Sequence, residues 1–308
     1  MLLFGRLGLP RFAVSRPTSL REAWERIASG EGIHPIAGGT SVIPLIKTGL
    51  LEVRELVDLS GVSELRTVRR EGGGLSVGAM VTHMELVELA PYPIAKLLEG
   101  FSRNHTSPHI MNLATVGGAV ASSTSSEDLL PILMALDAKV TLYEGDGMSE
   151  VPLSDYVARR GSFKVALVRN VEVRTSWDGW RLSFDKLSFS TLRLPAFCVV
   201  VGAKLSDRRV EDCRIAVSFA DGLRPGRLGA VEDAVRGRSV DELRPSEVSE
   251  LVRADVRPAG DVHFPADYRR LVTSRVVALK LKEVISPSVP WSPTWSWWNW
   301  HHIRSQSS

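Results

Sequence analysis

Two Gly-Gly pairs, each bordered by small hydroxyl residues, limit what this chain can fold into more than any other feature. The first lies in Ile36-Ala37-Gly38-Gly39-Thr40-Ser41-Val42, where a strand-like stretch runs straight into the glycines. The second lies in Asn112-Leu113-Ala114-Thr115-Val116-Gly117-Gly118-Ala119 and leads into Ser122-Ser123-Thr124-Ser125-Ser126-Glu127-Asp128. Glycine has no Cβ and tolerates positive φ, so a diphosphate can approach the backbone closely. Successive N–H groups can then converge on one anion, and Thr40 and Ser41 add hydroxyl donors. Either pair alone reads as a plain turn. Together they point to a ligand carrying many phosphate and hydroxyl oxygens. Neither loop is one of the two common nucleotide cradles: no Gly-Lys-Ser/Thr follows, and the G-x-G-x-x-G spacing is absent.

The surrounding pattern predicts an α+β chain. Ser19 and Glu22 have capping-box spacing, and Leu20, Ala23, Trp24, Ile27 and Ala28 then line one helical face. Strands are predicted over 34–37, 53–59 and 75–79, and a second capping box, Thr82 with Glu85, starts another helix. Residues 102–126 carry no long periodic element. A helix over 127–136 and strands over 139–143 and 165–173 follow. After Trp177-Asp178-Gly179 the pattern changes to three strands, over 181–189, 196–205 and 213–220, and then to three helices near 229–237, 245–254 and 266–284. Phe197, Val199, Val201 and Ala203 alternate along the middle strand. Strands followed by helices predict a second, smaller domain with a three-stranded antiparallel sheet and a three-helix bundle. The division expected is 1–177, 178–285 and a tail over 286–308. That tail holds Trp291, Trp295, Trp297, Trp298 and Trp300 and reads as a disordered or artefactual extension.

Composition excludes several classes. A chain of 308 residues with 44% apolar content builds a large core without staples. Its net charge of +3 is scattered, with no zinc spacing or RNA-binding aromatic motif, so nucleic acid is not expected as a partner. Cys198 and Cys213 are the two cysteines, too few for an iron–sulfur or zinc cluster. They read as reduced core thiols, with a disulfide between neighbouring strands as the alternative. No apolar run approaches the ~18–20 residues of a membrane span, and no signal peptide is apparent. A cytoplasmic protein is expected. Gln306 is the only glutamine and asparagine is scarce, a composition that suggests a thermophile. No catalytic acid, base or metal ligand set stands out.

The two motifs and their surroundings resemble the FAD-binding subunits and domains of the molybdenum hydroxylases. That group includes xanthine dehydrogenase, aerobic CO dehydrogenase and the aldehyde or glyceraldehyde oxidoreductases. Pro35 to Ser41 is similar to the family's first flavin motif, and Leu56-Val57-Asp58-Leu59 to a later strand. Ile110 to Asp128 resembles its second motif, I-R-N-x-G-T-I-G-G-N plus a small-residue run and an acid. Phe184-Asp185-Lys186 resembles its aromatic-x-Lys, and Ala266 to Arg270 its closing helix start. The likeness spans roughly 11–284. Met111 stands where the family has Arg, Ala114 replaces a Gly, Ala119 replaces an Asn, and Thr124-Ser125 replaces Asp-Pro.

The resemblance implies a two-subdomain FAD-binding domain followed by the smaller domain. It implies FAD contacts at Ile36, Ala37, Gly38, Gly39, Thr40, Ser41, Val42, His105, Thr115, Val116, Gly117, Gly118, Asp128 and Lys186. It also implies a small [2Fe–2S] subunit that delivers electrons, a large molybdopterin subunit that oxidises substrate, and an external acceptor. Two other readings stand beside it: a structural subunit that has lost FAD, and a stand-alone flavin oxidase.

Overall fold

The first glycine loop lies at the carboxyl end of a small parallel sheet. The computed structural model describes residues 9–104, 107–159, 165–188, 196–219 and 225–286. The chain begins with β1 (Ala13–Ser15), α1 (Leu20–Ala28), β2 (Ile33–Ile36), α2 (Val42–Lys47) and β3 (Glu55–Asp58). The strands pair in parallel in the order β1-β3-β2. Ser19 caps α1 by accepting the Glu22 N–H at 3.1 Å. The expected box is not reciprocal, because the Glu22 carboxylate accepts instead from the Thr18 N–H at 2.9 Å.

A five-stranded antiparallel sheet forms the second layer. It contains β4 (Val68–Glu71) and β5 (Gly74–Gly78), then, after a helical stretch, β6 (Lys139–Tyr143), β7 (Met148–Pro152) and β8 (Leu167–Arg174), in the order β4-β5-β8-β6-β7. Between β5 and β6 run α3 (His83–Leu89), α4 (Ile94–Asn104), α5 (Pro108–Leu113), α6 (Val116–Ser122) and α7 (Leu129–Ala135); α8 (Leu153–Ala158) follows β7. The Thr82–Glu85 capping box is complete in both directions. Residues 102–126 hold no long element, but they are not irregular. Ser107 and Thr115 each cap a short helix there, α5 and α6. Helices of this length leave too few turns for a periodic apolar signal.

The last unit comprises β9 (Trp180–Leu187), β10 (Phe197–Ser206), β11 (Arg209–Ser218) and β12 (Gly226–Arg227), then α9 (Gly229–Val235), α10 (Pro245–Asp255) and α11 (Ala266–Ile285). The antiparallel order is β12-β11-β10-β9, so a two-residue edge strand joins the three expected. β10 is buried on both faces rather than one. Cys198 and Val200 belong to the main core, whereas Phe197, Val199, Val201 and Ala203 pack with α10 and α11 in a second core. The sheet is thus the shared wall of two cores. Asp137, in the left-handed region at φ 51°, fastens the units together. Its carboxylate accepts from Arg174, from Arg214 at 3.1 Å and from Arg227. Among the described residues no helix is long and apolar enough to cross a membrane, and both cysteines are free and buried. The Trp-rich stretch lies outside the described residues.

Candidate functional site

β2 delivers the chain to a half-buried loop whose backbone donors are unspent. Among the described residues, the N–H groups of Gly38, Gly39, Thr40, Ser41 and Val42 make no hydrogen bond within the protein; the first amide engaged is Ile43, which donates to the Gly39 carbonyl at 3.0 Å. Ser41 occupies the N-cap of α2, yet its hydroxyl caps nothing. Orphan N–H groups where a strand turns into a helix form a natural anion site. The glycines have separate reasons to be there. A Cβ on Gly38 would lie 1.7 Å from the Leu113 carbonyl oxygen, and Gly39 has φ +72°. The first loop therefore rests directly on the end of α5, at the start of the second motif.

The second motif is built differently. Thr115 caps α6 by accepting the Gly118 N–H at 3.1 Å. The Val116 and Gly117 amides donate to the Val81 and Ala79 carbonyls, each at 2.9 Å. Gly117 is glycine because a Cβ there would meet the Ala79 Cβ at 2.3 Å. Its N–H groups are thus committed to the fold. What the motif still offers is the Thr115 hydroxyl hydrogen and the half-buried Gly118, where a Cβ would lie 2.9 Å from Thr115 Oγ1.

Past α6, the chain turns through Ser123 in the left-handed conformation and reaches Asp128 at the N-cap of α7. Asp128 makes no capping hydrogen bond. Its Oδ2 accepts from Lys186 Nζ at 2.5 Å, with the two side chains only 4% and 2% exposed. Its Oδ1 accepts from the Cys198 thiol at 3.1 Å. Lys186 and Cys198 stand directly opposite each other on β9 and β10. Burial, reinforced by the Asp128 carboxylate, lifts Glu127 to about 7. Burial also pushes the Cys198 thiol up, well above its ordinary range, so it stays protonated and can donate. Asp185 points through the other face of the sheet toward Lys280, at 3.6 Å, and burial raises its carboxyl.

The structure therefore brings Ile36 to Val42 against the start of the second motif, and pairs Asp128 with Lys186. Lys186 is buried and ion-paired, not a surface charge. His105 lies outside the described residues. Val116, Gly117 and Ala119 are buried, as is Met111, which packs in the main core. The Ala114 carbonyl accepts from the His83 N–H. Cys198 is the residue that sequence reasoning passed over. It reads as an inert core thiol until the β9–β10 register places it beside Lys186.

The residues present fit the dinucleotide that the resemblance implies. Five uncommitted N–H groups and the free Ser41 hydroxyl suit a diphosphate, and the glycine at 38 is required for the loop to seat at all. Residues 10–173 match the family described as FAD binding domain in molybdopterin dehydrogenase, and residues 184–284 match CO dehydrogenase flavoprotein C-terminal domain. The chain is 26% identical to the glyceraldehyde dehydrogenase medium chain of Sulfolobus acidocaldarius, over 89% of this chain and 99% of that protein. It is 27% identical to the carbon monoxide dehydrogenase medium chain of Hydrogenophaga pseudoflava, over 87% and 95%. The fold is similar to that of a chain of reconstituted CO dehydrogenase from Oligotropha carboxidovorans, with TM-score 0.82 and 23% identity over 90% of this chain and 100% of that one.

Proposed function

Because the chain belongs to the family of FAD-binding medium subunits of molybdopterin dehydrogenases, we propose that it is the electron-transfer subunit of a heteromeric enzyme, passing electrons from a partner's [2Fe–2S] clusters to an external acceptor. It is an oxidoreductase subunit and its cofactor is FAD. Substrate oxidation belongs to a large molybdopterin subunit in this reading, and the assembly is cytoplasmic. The observation that carries the reading is the run of five unpartnered N–H groups from Gly38 to Val42 in a chain of this family.

When bound, FAD supplies the capacity to take up electrons singly or in pairs. The protein's own residues bind and orient it. The Gly38–Val42 amides and the Thr40 and Ser41 hydroxyls hold the diphosphate, and the Thr115 hydroxyl donates from the adjoining wall. Gly118 lets the ligand pass close to the backbone. Lys186, ion-paired with the buried Asp128, would supply a positive charge near the flavin, the kind of group that favours its reduced, anionic form. The half-buried Glu127 holds a proton near neutral pH.

Purified chain, alone or with its partners, is expected to show oxidised-flavin absorption or to acquire it on adding FAD. A colourless protein that refuses FAD overturns the reading in favour of a structural subunit. Co-purification with molybdenum and iron is expected for the assembly, and a flavoprotein that turns over by itself contradicts it.

A further inference from the structure

We propose that Arg169 is a further FAD-binding residue, its guanidinium pairing with the diphosphate from the side of β8; this rests on the reading of the chain as an FAD-binding subunit.

β8 carries a bulge at this residue. Leu142 of β6 pairs with Val168 and Thr141 with Asn170, so Arg169 has no partner on β6. The bulge lies beside the second motif. The Arg169 carbonyl accepts the Ala79 N–H at 2.9 Å, and the Ala79 carbonyl accepts the Gly117 N–H at 2.9 Å. α6, which opens with that motif, packs on β8. Two backbone hydrogen bonds therefore tie Arg169 to the motif whose start supports the Gly38 loop.

The side chain is half-buried and under-committed. Its Nη1 donates to Asn170 Oδ1 at 3.2 Å, and Asn170 donates in turn to Ser76 Oγ at 2.9 Å. Its Nε is buried and has no hydrogen-bond partner. Among the described residues Nη2 donates to nothing, and the guanidinium forms no ion pair. Arg214, Arg227 and Arg269, by contrast, each hold a carboxylate. A guanidinium cannot shed its charge by losing a proton, and a partly buried charge without a counter-ion is costly. A bound anion supplies that counter-ion. The adjoining Gly38 loop is suited to a diphosphate, and the arginine fork matches phosphate oxygens.

The test uses the full chain, with and without FAD, in two variants. Arg169→Met keeps most of the stem and removes the charge; Arg169→Lys keeps a charge without the fork. R169M is expected to weaken FAD binding by roughly tenfold to a hundredfold, the worth of a charge-assisted hydrogen bond. It should leave the melting temperature of the FAD-free chain unchanged or raised, because no ion pair is lost. R169K should fall between parent and R169M in affinity. ADP, which carries the diphosphate without the flavin, should lose affinity by a similar factor when measured by competition with FAD. If R169M binds FAD and ADP as the parent does, the proposal is overturned while the FAD site stands. If FAD binding weakens and ADP binding does not, the guanidinium does not meet the diphosphate, and the proposal fails. If the FAD-free chain is destabilised by as large a factor as FAD affinity falls, Arg169 serves the fold through Asn170, and the proposal fails again. A parent chain that takes up neither ligand overturns the FAD reading and this proposal with it.

Discussion

The two glycine motifs look alike as strings of residues and do opposite things in space. At Gly38-Gly39 the backbone donors are free, and glycine is needed so that the loop can lie on the Leu113 carbonyl and turn with positive φ. At Gly117-Gly118 the donors are consumed by Ala79, Val81 and the Thr115 hydroxyl, and Gly117 is needed because Ala79 occupies the space of a side chain. In the proposed reading the first motif is the binding surface, and the second is mainly a joint that props that loop up and carries the chain toward Asp128. Changes in the second should therefore cost stability before FAD is added, and loss of a free hydroxyl in the first should cost affinity alone.

The largest effect should come where the second motif ends. Lys186→Met removes the ammonium paired with the buried Asp128 carboxylate, at an expected loss of about 3 kcal/mol. Chemical denaturation of the FAD-free chain checks this, and adding Asp128→Asn should recover most of the loss. Next is Glu127, lifted from 4.5 to about 7. The folded chain keeps a proton there that the unfolded chain releases, so this group's contribution is complete below pH 4.5 and lost as pH rises through 7. The span amounts to about 3 kcal/mol. Unfolding free energies at pH 5 and pH 8 should differ by about 2.5 kcal/mol from this group, and Glu127→Gln should flatten the difference. Gly117→Ala follows, at about 1–3 kcal/mol from overpacking against Ala79, seen as a lower melting temperature without FAD.

The smallest pair of changes sharpens the contrast most. Thr115→Ala removes a working cap and should cost about 1 kcal/mol in the FAD-free chain. Ser41→Ala occupies the same kind of position but removes a hydroxyl that caps nothing. It should leave FAD-free stability within about 0.5 kcal/mol and weaken FAD binding by roughly fivefold to tenfold, the worth of one hydrogen bond. Equal effects on stability would erase the distinction between the loops.

Much of this was readable in the residues. The alternation over 139–143 and the apolar spacing in 266–284 mark β6 and α11 closely, because each element is long enough for its period to show. The Thr82–Glu85 box marks the start of α3. The Gly38-Gly39 loop was legible because a strand precedes it and hydroxyl residues follow. Three features were not. α5 and α6 are each under two turns, and what defines them is capping by Ser107 and Thr115, not periodicity. The burial of both faces of β10 depends on α7 packing from one side and α11 from the other, a fact of tertiary structure. The Lys186–Asp128–Cys198 cluster depends on strand register, which no local pattern encodes.

The division of labour between the loops can be read directly from amide signals of the chain labelled with 15N-glycine and titrated with FAD. Gly38 and Gly39 should show the largest downfield proton shifts as their free N–H groups take up the diphosphate, while Gly117, already donating to Ala79, stays nearly fixed. Large shifts at Gly117 and Gly118 with Gly38 and Gly39 unmoved would contradict the assignment of the diphosphate to the first loop.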